Sequence, residues 1–135
     1  MPPKLHFFIV DDLPIIRRIV ATFLKTLGHI RVSEAEDGEQ ALKPLQAGAA
    51  AGTPINFVVT DWNMPLMDGL ELLQAIRATV ELQHLPVLVV TNEMAEDHIV
   101  AMMQAGADGY LVKPLLNAET LKQALAKILL RREMA

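Results

Sequence analysis

An α/β fold, with a doubly wound five-stranded parallel sheet and five helices, is what this sequence predicts. Three observations carry that expectation. Strand-like and helix-like segments alternate five times along the 135 residues. Most of the strand-like segments are unbroken apolar runs, such as Phe7-Phe8-Ile9-Val10 and Val87-Leu88-Val89-Val90, which suits strands covered on both faces. The connections are long enough for right-handed crossovers, which make the strands parallel and put helices on both sides of the sheet.

Taken in order, Phe7 to Val10 is a buried strand ending at Asp11-Asp12. Pro14 suits the first turn of a helix. Ile15, Ile16, Ile19, Val20, Phe23, Leu24 and Leu27 repeat at helical spacing, and Gly28 closes that helix. Arg17, Arg18 and Lys25 lie off the stripe and read as a solvated face. Ile30 to Glu34 alternates apolar and polar, so this strand goes at the edge. Glu39 to Leu45 reads as a short helix that Pro44 kinks or shortens, followed by a small-residue loop from Ala47 to Pro54.

Ile55, Phe57, Val58 and Val59 form the central strand, which stops at Asp61. Pro65 forces a turn, and Asp68 with Glu71 forms a capping box. Leu70, Leu73 and Ile76 share a face of the next helix, with Leu72 at its flank. Pro86 to Val90 is a fourth strand, ending at Thr91. Asp97 to Ala105 carries Ile99, Val100, Met102 and Met103 on a helix closed by Gly106, with the methionines as core or partner-facing filler. Tyr110 to Val112 is the last strand and ends at Lys113-Pro114. Asn117 caps a final helix whose stripe is Leu121, Ala124, Leu125, Ile128 and Leu129.

Composition narrows the function. A hydrophobic content of 52 % supports one packed core, so residues 1–135 read as a single domain. A net charge of −4 argues against nucleic acid as a partner, and no direct DNA binding is expected. The absence of cysteine excludes disulfides and thiolate metal sites and is compatible with a cytoplasmic location. No apolar run is long enough to span a bilayer, so no membrane insertion is expected.

The strand ends assemble a site. In a parallel sheet all carboxyl ends point one way, so Asp11, Asp12, Asp61, Thr91 and Lys113 meet in one crevice. Each like-charge contact there costs about 4 kcal/mol at 4 Å with an effective dielectric near 20. Lys113 offsets part of this, and a divalent cation offsets the rest. The donors are all oxygen, which selects Mg²⁺, with Mn²⁺ as a substitute, over zinc or copper. The crevice therefore suits metal-assisted phosphoryl chemistry. Asp61 is the candidate nucleophile, Asp11 and Asp12 hold the ion, and Thr91 and Lys113 contact phosphoryl oxygens.

At these residues the chain resembles a family. Asp11-Asp12, Asp61-Trp62-Asn63-Met64-Pro65, Met67-Asp68-Gly69, Thr91, Tyr110 and Lys113-Pro114 are similar to the receiver domain of bacterial two-component response regulators, above all its single-domain chemotaxis members. Glu34-Ala35-Glu36-Asp37-Gly38 and Gln104-Ala105-Gly106-Ala107 extend the likeness, which runs from about Phe7 to Leu129. The resemblance implies strand order 2-1-3-4-5, as in flavodoxin-like folds. It implies a phosphoacceptor rather than an enzyme: Asp61 takes a phosphoryl group from a sensor histidine kinase. Asp12, Asp61 and the backbone carbonyl of Asn63 would ligate Mg²⁺, with Asp11 acting through a water. Thr91 and Tyr110 would form the switch, Lys113-Pro114 would be a cis bond, and Asn63 and Glu93 would influence how long the phosphoryl group lasts. The implied output face is the fourth helix, last strand and last helix, read by a motility motor component or a phosphatase. The chain is expected to be a monomer that stands alone, because Arg131 to Ala135 follows directly on the last helix; a receiver cut from a larger regulator or relay protein is the alternative.

Some residues depart from the pattern. Asn92 replaces a small residue after Thr91 and is expected to slow entry of water or a small phosphodonor. Pro44, the 47–54 loop, and Leu115 and Leu116 in place of an aromatic are expected to alter partner choice rather than chemistry. An aspartate-nucleophile phosphatase of the haloacid dehalogenase type would need a second Asp where Asn63 stands. A flavodoxin would need a loop that cradles phosphate where Asp11-Asp12-Leu13-Pro14 repels it. A docking module that never carries phosphate would not need the full set of reacting residues.

Overall fold

The computed structural model describes residues 5–52 and 54–134. Strands β1 (His6–Val10), β2 (Arg31–Ala35), β3 (Phe57–Thr60), β4 (Val87–Thr91) and β5 (Gly109–Val112) alternate with helices α1 (Pro14–Thr26), α2 (Gly38–Ala51), α3 (Gly69–Ala78), α4 (Glu96–Gln104) and α5 (Ala118–Met134). The strands form one sheet in the order β2-β1-β3-β4-β5, and every pairing is parallel. The expected fold class and strand order are thus observed, with the alternating strand at an edge.

Pleat alternation divides the core in two. Phe7, Ile9, Phe57, Val59, Leu88 and Val90 pack against Val20 and Leu24 of α1 and Leu121, Leu125 and Ile128 of α5. Phe8, Val10, Val58, Val87 and Val89 pack against Ala41 and Leu45 of α2, Leu72, Leu73 and Ile76 of α3, and Met102 of α4. The apolar strands are buried because both of their faces have a helix layer to meet.

Several local expectations are corrected. Pro44 neither stops nor shortens α2, which runs on to Ala51 and ends on Gly52 at φ +77°. Buried Ala41 and Leu45 anchor the helix on the sheet around the proline, and Ala47 and Ala49 to Ala51 carry high helix propensity beyond it. Most of the expected 47–54 loop is therefore helix, and Thr53 lies outside the described residues. The Lys113–Pro114 bond is trans, as is every peptide bond among the described residues. Lys113 to Leu115 leave β5 directly in a single 3₁₀ turn, and the trans isomer is the one an X–Pro bond ordinarily prefers. On α4 only Met102 is fully buried; Val100 and Met103 face outward. The capping box of Asp68 and Glu71 is present, with hydrogen bonds of 2.9 and 3.1 Å. Asn117 Oδ1 accepts the Thr120 N–H at 2.8 Å, as a cap of α5 should.

Candidate functional site

The acids that end β1 and β3 converge. Carried past the last strand residue, the pleat puts Asp11 on the face of Phe7 and Ile9, and Asp61 on that of Phe57 and Val59. Lys113 follows Leu111 on the same side. Oxygens of Asp11, Asp12 and Asp61 all lie within 4.8 Å of one another. Lys113 Nζ donates to Asp61 Oδ2 at 3.0 Å and lies 3.1 Å from Asp11 Oδ2.

Asp11 and Asp61 are buried, whereas Asp12 stands nearer solvent. Burial raises the Asp11 pKa; the Leu13 N–H opposes that rise and the Asp61 charge adds to it. Burial on its own would lower Lys113, but its hydrogen bond to Asp61 and the charges of Asp61 and Asp11 outweigh this and raise it. Lys113 thus stays an ammonium, and three ionised carboxylates would leave the cluster two negative charges in excess. The donor set is all oxygen, and its spread is close to the roughly 4 Å between opposite ligands of Mg²⁺. The residues fit that ion.

The backbone around Asp61 is closely fitted. Its N–H donates to the Val10 carbonyl at 2.9 Å, and its Oδ1 accepts the Trp62 N–H at 2.6 Å. The Gly69 N–H donates to the Trp62 carbonyl at 2.8 Å. A Cβ at position 69 would sit 2.3 Å from the Asp61 carbonyl oxygen and 2.8 Å from Trp62 Cα. Only glycine lets α3 begin this close to the strand end.

The other expected residues lie on the loop after β3 and on β4 and β5. Thr91 is fully buried, and its Oγ accepts the Glu93 N–H at 3.2 Å. Tyr110 pairs with Val89 and is 43 % exposed, so it points outward on the face of the sheet that Thr91 shares. Asn63 Nδ2 donates to Glu93 Oε2 at 3.1 Å, and His98 Nδ1 lies 3.6 Å from the same oxygen.

Arg17 is the residue that sequence reading misplaced. Its side chain is only 13 % exposed. Its Nη1 donates to the Asp11 carbonyl at 2.6 Å and its Nε to Glu34 Oε1 at 2.9 Å. The signal lay in Pro14, which has no N–H to close a turn onto Asp11.

Comparison with known proteins agrees with this geometry. The model of the response regulator receiver domain matches residues 7–126. The chain belongs to that family. It is 46 % identical over 124 residues to the chemotaxis protein CheY of Pseudomonas aeruginosa, covering 92 % of this chain and 95 % of that one. It is 48 % identical over 125 residues to CheY-3 of Vibrio cholerae, covering 93 % and 92 %. The structure of the chemotaxis response regulator CheY4 of Vibrio cholerae superposes with a TM-score of 0.81 at 32 % identity, covering 93 % of this chain and 98 % of that one. A response regulator receiver domain protein from Clostridium thermocellum superposes with a TM-score of 0.79 at 25 % identity, covering 96 % and 98 %. Among the described residues no helix is long and apolar enough to cross a membrane.

Proposed function

We propose that this receiver domain is a cytoplasmic, phosphorylation-operated switch of the chemotaxis type. Asp61 is the phosphoacceptor. One of its carboxylate oxygens attacks the phosphorus of a phosphohistidine on a sensor kinase, the P–N bond breaks, and the imidazole nitrogen keeps the electron pair. The observation that carries the reading is the convergence of Asp11, Asp12 and Asp61, with Lys113 paired to Asp11 and Asp61. Asp12, Asp61 and the Asn63 carbonyl are assigned as Mg²⁺ ligands, with Asp11 acting through a water and Mn²⁺ as a substitute. The bound ion supplies charge neutralisation at the phosphoryl oxygens. Lys113 exchanges its Asp61 partner for the phosphoryl group, and the Thr91 hydroxyl leaves the Glu93 N–H to donate to it.

The switch is the coupling of Thr91 to Tyr110, which lie on one face of the sheet. Inward movement of Tyr110 would reshape the groove of about 630 Å³ that runs over β5 between α4 and α5, lined by Met103, Tyr110, Gln123, Lys127 and Arg131. The names of the relatives support a motility output, with a motor component or a phosphatase as reader.

Trp62, buried beside Asp61, is the reporter for a test. Its fluorescence is expected to respond to Mg²⁺ and then to a small-molecule phosphodonor. The second response should be lost in Asp61→Asn. A protein that ignores Mg²⁺, or an Asp61→Asn variant that still responds to the phosphodonor, would refute the reading.

A further inference from the structure

Of the three acids, Asp12 has the fewest restraints of its own. Asp11 has partners at its N–H (the Ala35 carbonyl), its Oδ1 (the Leu13 N–H) and its Oδ2 (Lys113). Asp61 is held by Val10, Trp62 and Lys113. Among the described residues Asp12 makes no hydrogen bond through either its N–H or its carboxylate. Its place beside Asp11 and Asp61 is therefore set by the backbone that precedes it.

That backbone is one rigid plane. The Asp11 carbonyl and the Asp12 N–H belong to a single peptide unit, so orienting the carbonyl sets the direction in which Asp12 leaves it. A carbonyl at the start of a turn ordinarily accepts the N–H three residues on. Here that residue is Pro14, which has none. Arg17 supplies the missing donor at 2.6 Å, and Glu34 at the end of β2 braces the guanidinium from its other side at 2.9 Å. An arginine fork suits this task because its donors diverge in one fixed plane and reach two acceptors at once. A surface ion pair with Glu34 alone would not need the buried carbonyl.

We propose that Arg17 is a positioning residue for Asp12, braced on Glu34 so that the Asp11–Asp12 peptide plane aims the Asp12 carboxylate at the metal-binding cluster. This rests on the Mg²⁺ reading above. The sign of the mutational effect separates positioning from plain electrostatics. Removing a positive charge near a cation site, with geometry unchanged, strengthens cation binding. Removing a positioning partner weakens it, and such partners commonly set metal affinity by tenfold or more.

The test is Mg²⁺ titration at fixed ionic strength, read by Trp62 fluorescence and by the Mg²⁺-dependent rise in thermal midpoint. Arg17→Ala is expected to bind Mg²⁺ about tenfold more weakly than the parent protein. Arg18→Ala, which removes a neighbouring exposed charge, should bind it equally or slightly more tightly. Arg17→Lys keeps the charge, loses the fork, and should bind several-fold more weakly, about threefold. Urea midpoints without Mg²⁺ establish that each variant is folded; if Arg17→Ala is not, the charge-conserving Arg17→Lys decides. Affinity in a folded Arg17 variant equal to or above that of the parent would overturn the inference. A parent protein that does not respond to Mg²⁺ would overturn the site reading itself, and this inference with it.

Discussion

At the carboxyl end of the sheet three aspartates cluster beside one lysine that pairs with two of them; at the amino end of β4 and β5 one aspartate is shared by two arginines. Asp108 Oδ2 accepts the Val87 N–H at 2.7 Å and Arg77 Nη2 at 3.1 Å. Arg132 engages both of its oxygens, through Nε at 2.9 Å and Nη2 at 3.0 Å. Both guanidiniums then spend further donors on carbonyls: Arg77 on Leu85 and Gly106, Arg132 on Leu85 and His84. Nothing in this cluster waits for a ligand, and it ties α3, the loop before β4, β5 and α5 together. The acidic end has too little positive charge for its carboxylates. One cluster is closed within the fold, whereas the other leaves carboxylate charge unmatched.

The sharpest way to break this contrast is to remove an acid from each end. Asp108→Ala leaves two guanidiniums and the Val87 N–H without their partner, and should cost about 3 kcal/mol of stability. Its urea midpoint should fall accordingly, while the Mg²⁺ response of Trp62 persists; loss of that response would mean the two ends are not independent. Asp61→Asn should act in the opposite direction, raising stability by about 1–2 kcal/mol as repulsion within the acidic cluster is relieved. A lower midpoint in Asp61→Asn would show that its bond to Lys113 outweighs the repulsion.

Backbone strain is a smaller lever, and it also lies near the carboxyl end. Leu66 is the one non-glycine residue at positive φ among those described, at +64°, and it is 77 % exposed. Leu66→Gly is expected to gain about 1 kcal/mol in a thermal or urea midpoint. No gain would mean that the loop already relaxes the strain.

The smallest expected effect concerns pH, and the two ends again differ in sign. Burial lowers the pKa of His29, whose Nε2 is buried without a partner, and of His6, where the Arg31 charge adds to the burial. Below pH 6.5 the unfolded chain therefore binds protons that the folded one refuses. Stability is full above that pH and declines as pH falls toward the depressed folded values. Asp11 behaves oppositely, because its raised folded pKa lets the native state take up a proton first; its contribution improves as pH falls through that value toward 3.8. Urea midpoints at pH 7.5 and 5.5 should show a loss in the parent protein that narrows in His29→Phe. An unchanged loss would remove His29 as its source.

Much of the architecture was legible from periodicity. Continuous apolar runs marked β1, β3 and β4 as double-faced, and the alternating segment went correctly to the edge. Asp11, Asp12 and Asp61 could be placed together because parallel strands bring their carboxyl ends to one rim. Less legible was whatever depended on a neighbour distant along the chain. Pro44 is tolerated because α2 is anchored on the sheet through Ala41 and Leu45. Arg17 lies off the apolar stripe of α1, and helical periodicity carries no sign of its partners, Glu34 and the Asp11 carbonyl. Asp108 was not singled out, since its two arginines are 31 and 24 residues away.

By itself the sequence determined the order of strands and helices, the faces that had to be buried, and the acids that would stand at strand ends, because these follow from local spacing and from the solubility of side chains. Tertiary structure alone decided which charges are matched and which are left in excess. Coulomb energy depends on separation in space, and the folded sheet sets the separations between Lys113 and its two aspartates, between Arg17 and a carbonyl that a proline cannot serve, and between Asp108 and a pair of arginines from two helices.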